Sequence, residues 1–283
     1  MRDDEGSETR GGGSRDTCVV LKVKYRRWFK GVPPRPIHIA LPGWAGDRSP
    51  RTDGSVPQPW HCQPFVEAST YGLELLYPFN AECRVTNDGQ RIAFEGDFTG
   101  EAPWSRESPP APPFLAFAPG HYGFTSSLDM VAPEGFALRI ESHPRVYTDT
   151  SGEVPLVVPG HLDRFWPRIF FVVFKAPPVG GTHVFRRGDA YAQAIFIPAS
   201  VKYEVAEMAD EETCERARID RAIESCKALP TQRWISQAGN SFDDKYKRLQ
   251  RAFNVGGWAA VSELVDRLSK SSAPAEKSTA RDG

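Results

Sequence analysis

The sequence predicts a mainly β protein, an antiparallel sandwich or distorted barrel with a C-terminal helical appendage. Three observations lead there. Through about residue 205 the apolar residues come in short bursts rich in β-branched and aromatic side chains. Proline and glycine, 25 and 24 of them, punctuate those bursts, and proline is excluded from the interior of helices and central strands. Only after that point do apolar residues follow a helical period.

Residues 1–16 are polar and glycine-rich and are expected to be a disordered leader, because nothing in them repays the entropy of ordering. The β domain is expected over 17–205. Its strand-like bursts are Cys18–Tyr25, Tyr71–Phe79, Arg91–Phe98, Gly135–Ser142, Glu153–Val158, Arg168–Ala176, Thr182–Arg187 and Tyr191–Ala199. In one of them Phe136, Leu138 and Ile140 alternate with Ala137, Arg139 and Glu141, as in a strand with one solvent face. The run from Ile169 to Phe174 is apolar on both faces, which predicts a central strand covered on both sides. Turns are expected at Val131–Gly135, Pro177–Gly181 and Arg187–Asp189. The proline-rich stretch Glu101–Pro119 reads as an extended strap packed by Trp104, Phe114 and Phe117. With no amphipathic helices between them, these strands do not form βαβ units.

Helical spacing marks 211–227, 242–253 and 258–268, so residues 206–268 are expected to form an appendage packed on the β domain, with 269–283 a disordered tail. An aromatic stripe of Phe242, Tyr246 and Phe253 would alternatively join a second copy, giving a homo-oligomer.

The formal net charge of −1 argues against a nucleic-acid partner, and the basic run Lys22–Lys30 reads as an edge strand with its charges in solvent rather than as an anion surface. No apolar stretch is long enough to span a membrane, and the first residues hold no secretory signal. The five cysteines lack metal-site or disulfide spacing, so a reducing, cytoplasmic setting is expected.

Candidate chemistry follows from residue type. His121, His143, His161 and His183 recur near strand ends; if they converge with Asp129 or Asp163, they would hold a divalent metal for a metal-dependent enzyme. Trp44, Trp60, Trp104 and Trp166 lie in proline- or glycine-rich loops and would line a cleft for a small molecule or a partner. There is no Rossmann fingerprint, phosphate loop or nucleophile elbow.

Two resemblances add to this. Gly160, Asp163, Gly188, Asp189 and Gln193, with Asp129 as an earlier hairpin aspartate, resemble the turns of the all-β deoxyuridine triphosphate hydrolases. That resemblance implies Mg²⁺-dependent nucleotide hydrolysis, with Asp163 and Asp129 as catalytic carboxylates and Gln193 at the ligand. The chain departs from that pattern at His143–Tyr147, where an Arg-Ser-Gly run is expected, and it lacks a glycine-rich C-terminal arm.

The second resemblance is carried by Gly43–Trp44, Trp60–Pro64, Tyr71–Leu75, Tyr122–Phe124, Asp163–Pro167, Phe170–Phe174 and Phe185–Pro198. Over about residues 40–200 these phrases resemble an uncharacterised bacterial family with a Cys-x-Pro turn, a Gly-x-Glu strand and a late Asp-Trp-x-Pro turn. It supports a single β domain and implies no catalytic residue.

Overall fold

The computed structural model describes residues 20–28, 31–39, 62–101, 112–118, 120–235 and 241–271. The expected leader, most of the expected tail, and Trp44, Trp60 and Trp104 lie outside them. The chain divides into two units: Leu21–Pro50 with Trp60–Tyr203, and Met1–Val20 with Arg51–Pro59 and Glu204–Gly283.

The first unit contains β1 (Lys24–Arg27), β2 (Arg35–Pro36), α1 (Gln63–Ser69), β3 (Leu73–Leu76), β4 (Cys83–Asn87), β5 (Ile92–Glu95) and β6 (Phe114–Ala118). It continues with β7 (His121–Thr125), β8 (Leu128–Val131), β9 (Phe136–Glu141), β10 (Leu156–Val157), β11 (Gly160–Leu162), β12 (Phe171–Lys175), β13 (Thr182–Phe185) and β14 (Ala190–Pro198). All pairings are antiparallel, in sheets ordered β11-β9-β14-β3-β2, β10-β12-β7-β6, β13-β4-β5 and β1-β8. A mainly β, antiparallel architecture is therefore present.

Every predicted burst from Tyr71 onward holds most or all of a strand, whereas the first, Cys18–Tyr25, reaches only the start of β1, and each predicted turn is a turn. Gly135, Gly180 and Gly188 take the positive φ those turns need. β12 is interior to its sheet but not covered on both faces: Val172 and Phe174 are buried while Phe171 and Lys175 are exposed. The expected strap instead delivers a strand, β6, over its last residues, where Phe114 packs into the core. α1 has no counterpart in the sequence reading. A proline near its first turn, where no intrahelical donor is lost, makes that start compatible with a helix.

One core serves the sheets. Tyr122 and Phe124 of β7, Phe174 of β12, Phe114 of β6, Phe185 of β13 and Tyr191 of β14 project into it with Leu75, Tyr77 and Val85. Phe124 is the hub. Its ring centroid lies 4.7 Å from Tyr191, 5.0 Å from Phe114, and 5.9 Å from both Phe174 and Phe185. Such offset and edge contacts add about 0.5–1.5 kcal/mol per pair beyond area burial.

Gly123 permits this packing from the other face of β7. A Cβ there would penetrate the Val172 carbonyl oxygen and the Phe171 ring, which closes over the glycine. Overpacking of this kind costs about 1–3 kcal/mol. The Gly123→Ala variant is expected to lose stability of that order in urea unfolding. Gly160→Ala, at an edge position where a Cβ meets nothing within 4 Å, is expected to change it by less than about 0.5 kcal/mol.

The second unit contains α2 (Asp210–Ser225), the hairpin of β15 (Arg233–Ile235) and β16 (Ser241–Asp243), and α3 (Lys245–Ser271). Phe242, expected to open a helix, sits in β16, and the helix begins after Asp244. The two helical runs expected on either side of residue 256 form one element with a break, where Gly257 has φ 60° and ψ −153°. Cys226, Leu229 and Val265 form a small buried cluster with Ile223, Leu249, Leu264 and Leu268 against it. Among the described residues, no helix is long and apolar enough to cross a membrane.

Candidate functional site

The four histidines do not come together. Among the described residues, no three His, Cys, Asp or Glu side chains are arranged to hold a metal ion. Strand register disperses the histidines. His121 lies on β7 opposite Lys175, His161 on β11 opposite Arg139, and His183 on β13 opposite Val85.

His143, His161 and His183 are tied into local structure. His161 Nε2 lies 3.4 Å from Asp163 Oδ1, with both side chains about half exposed. His143 is buried; its Nδ1 accepts from the Arg145 amide, and its Nε2 is 3.3 Å from Glu74 Oε2 without the alignment of a hydrogen bond. Glu74, also buried, is ion-paired with Arg35, its cross-strand partner from β2. Burial alone would raise the Glu74 pKa, but His143 and the Arg35 guanidinium beside it prevail and hold the carboxyl below its usual range.

His183 is held by the core. Its Nδ1 is 2.8 Å from the Tyr122 hydroxyl. Burial drives the phenol's pKa far upward and the imidazole's down to about 4, so Tyr122 stays protonated and donates to a neutral ring. Gln193, expected at a ligand, is buried in β14 and donates through Nε2 to the Tyr71 carbonyl at 2.6 Å. It secures the turn before β3.

Asp129 and Arg26 face each other across the β1–β8 pair and form an ion pair at 2.9 Å. Asp129 is buried, and its other oxygen, Oδ1, has no hydrogen-bond partner among the described residues. Trp166 and Asp163 do share a crevice, with Arg164, Arg168 and Met130, but its volume is about 10 Å³, enough for about one water molecule.

A larger cleft lies on the other side of Arg168. Arg26, Arg27 and Trp28 form one wall and Pro167, Arg168 and Ile169 the other, around about 310 Å³. The corner between β7 and β8 anchors both walls: the Ser126 amide donates to the Phe170 carbonyl at 3.0 Å, and the Trp28 amide donates to the Ser127 carbonyl at 2.9 Å. Ser127 adopts φ 57°, unusual for a non-glycine residue, and its buried Oγ has no partner among the described residues. Gly31 packs so closely on the Ser127 carbonyl that no Cβ fits there, and its amide donates to the Trp28 carbonyl at 3.0 Å. This corner therefore fixes the Trp28 backbone while 57% of the residue stays exposed. Neither Arg27 nor Arg168 has an ion-pair partner among the described residues, so two cationic groups and an open indole meet at one opening.

Sequence reasoning missed this cleft. It assigned Lys22–Lys30 to an edge strand, and among the described residues β1 pairs with β8 alone. The Arg26-Arg27-Trp28 run was the available signal; Arg168 was hidden at the head of an apolar strand.

No family model and no curated protein matches the chain. Among solved structures, a point mutant of the dUTPase from phage phi11 of S. aureus has 11% identity and a TM-score of 0.35, over 67% of this chain and 99% of the other. A point mutant of the Staphylococcus bacteriophage 80alpha dUTPase, solved with dUpNHpp, has 10% identity and a TM-score of 0.34, over 67% and 90%. The similarity is weak, and at these values it assigns no activity to this chain.

The His183 shift has a direct consequence for stability. A folded pKa of about 4 against 6.5 when unfolded means that the unfolded chain binds the proton first as pH falls. Stability from the neutral ring is complete above pH 6.5 and is lost between 6.5 and about 4, amounting to about 3 kcal/mol. Urea unfolding across that window is expected to show this loss. The His183→Gln variant, which keeps an acceptor for Tyr122, is expected to flatten the slope whatever its own stability at pH 7.

Proposed function

We propose that the β unit is a binding module for a small organic anion and that the Arg26-Arg27-Trp28 cleft is its site. The single observation that carries this reading is the meeting of Arg27 and Arg168, each without an ion-pair partner among the described residues, with the exposed Trp28 ring on one cleft of about 310 Å³. A guanidinium fork matches a phosphate or carboxylate, and an indole face accepts a flat apolar group. The combination suits a ligand with an anionic head and a ring.

On this reading Arg27 and Arg168 hold the anion, and Arg26 is oriented by Asp129. Trp28 takes the ring. Of the residues singled out from the sequence, Asp163 and Trp166 support the far wall through the crevice that shares Arg168. Binding of this kind needs no metal, and catalysis by Asp129 or Asp163 is left without an observation in its favour.

Phenyl phosphate, inorganic phosphate and phenol form a discriminating series in isothermal titration. Phenyl phosphate is expected to bind most tightly. Arg27→Ala and Arg168→Ala are each expected to weaken it about tenfold, the worth of about one charge-assisted hydrogen bond. Trp28→Ala is expected to abolish the preference over inorganic phosphate. Phenyl phosphate binding that is undiminished in a chain carrying both arginine substitutions would refute the proposal.

A further inference from the structure

The second unit separates its charge. From Glu204 to Glu215 the chain carries Glu204, Glu207, Asp210, Glu211, Glu212 and Glu215 and not one lysine or arginine. Glu212 reaches back to the Ala209 amide and Glu215 binds Arg218, whereas Glu204, Glu207, Asp210 and Glu211 have no ion-pair partner among the described residues. Two apolar side chains stand within this acidic stretch, Val205 at 94% and Met208 at 51% exposure. Residues 204–209 precede α2 without belonging to a strand or helix.

The opposite character gathers on α3. The break at Gly256 and Gly257 lets the two halves of the helix line one groove of about 400 Å³. Its rim holds Arg248, Arg251 and Arg267 against a single acid, Glu263, and its apolar lining includes Val255 and Leu264. Arg248 is partly committed, donating to the Ala228 and Leu229 carbonyls. Arg251 and Arg267 are exposed and have no ion-pair partner among the described residues.

We propose that the 204–212 segment of one copy docks in the α3 groove of a second copy, and that the exchange is reciprocal. Glu207 and Glu211 would meet Arg251 and Arg267, while Val205 and Met208 leave water for the groove floor. Charge complementarity selects this occupant. Within one chain the segment does not fill the groove, since its apolar residues are exposed. One segment of this length buries less than the about 1,200 Å² of a stable interface, so two symmetric exchanges are required, in keeping with closed two-fold pairing.

The test is the mass of the full chain by sedimentation equilibrium. A dimer is expected at low salt, dissociating towards monomer in about 0.5 M salt as exposed charges are screened. The groove variant R251E/R267E and the segment variant E207K/E211K are each expected to self-associate at least tenfold more weakly. All four positions are exposed, so the variants are expected to stay folded, with far-ultraviolet circular dichroism unchanged, as the association is lost. An equimolar mixture of the two variants is expected to restore the dimer, because each reversed patch then faces its complement. A monomeric wild type overturns the proposal, as does a dimer whose mass neither variant alters or a mixture that stays monomeric.

Discussion

The β unit depends on the close approach of β7 to its neighbours. Phe124 on one face meets rings from β6, β12, β13 and β14, and Gly123 on the other lets the Phe171 ring and the Val172 carbonyl close down. A side chain at 123 would push β12 away, and the ring contacts made at Phe124 would open with it. Dense aromatic packing compensates for strands that are mostly four or five residues long and bury little alone. It has a cost: among the described residues the buried Tyr191 hydroxyl has no partner, and the Tyr122 hydroxyl is satisfied by a histidine held neutral.

The same strand leads to the cleft. Two residues after Phe124 the chain turns through Ser126 and Ser127, whose backbone groups bind Phe170 on one wall and Trp28 on the other. Cleft width is thus set by core packing, through a corner that has an αL serine and a glycine pressed against it. A cleft framed by backbone hydrogen bonds holds its arginines and indole on a fixed base, the geometry that loses least entropy on the binding proposed for it.

Several polar residues that look functional in sequence are absorbed by the fold. His143 is buried beside Glu74, whose carboxylate is ion-paired with the exposed Arg35, and Gln193 and His183 satisfy neighbours within or beside the core. Burial of the Glu74 carboxylate requires such a partner, because an unpaired buried charge costs several kcal/mol, and the neutral polar groups are satisfied by hydrogen bonds. The opposite holds for Arg27 and Arg168, which have no such partner among the described residues and stand at an open cleft.

Strands with a clear alternation, such as Phe136, Leu138 and Ile140, were legible because period-two burial is a local property of the backbone. So were the turns at Gly135, Gly180 and Gly188, where a positive φ demands a particular residue. β4 was not legible, since only Cys83 and Val85 carry its buried face, and neither was β6, hidden behind prolines. The sequence by itself determined the strand-rich first part and the helices that follow it, through short-range spacing. Only tertiary structure decided that the histidines part and that Arg168 meets Trp28, because antiparallel register joins residues far apart in the chain and no local pattern encodes which strand lies beside which.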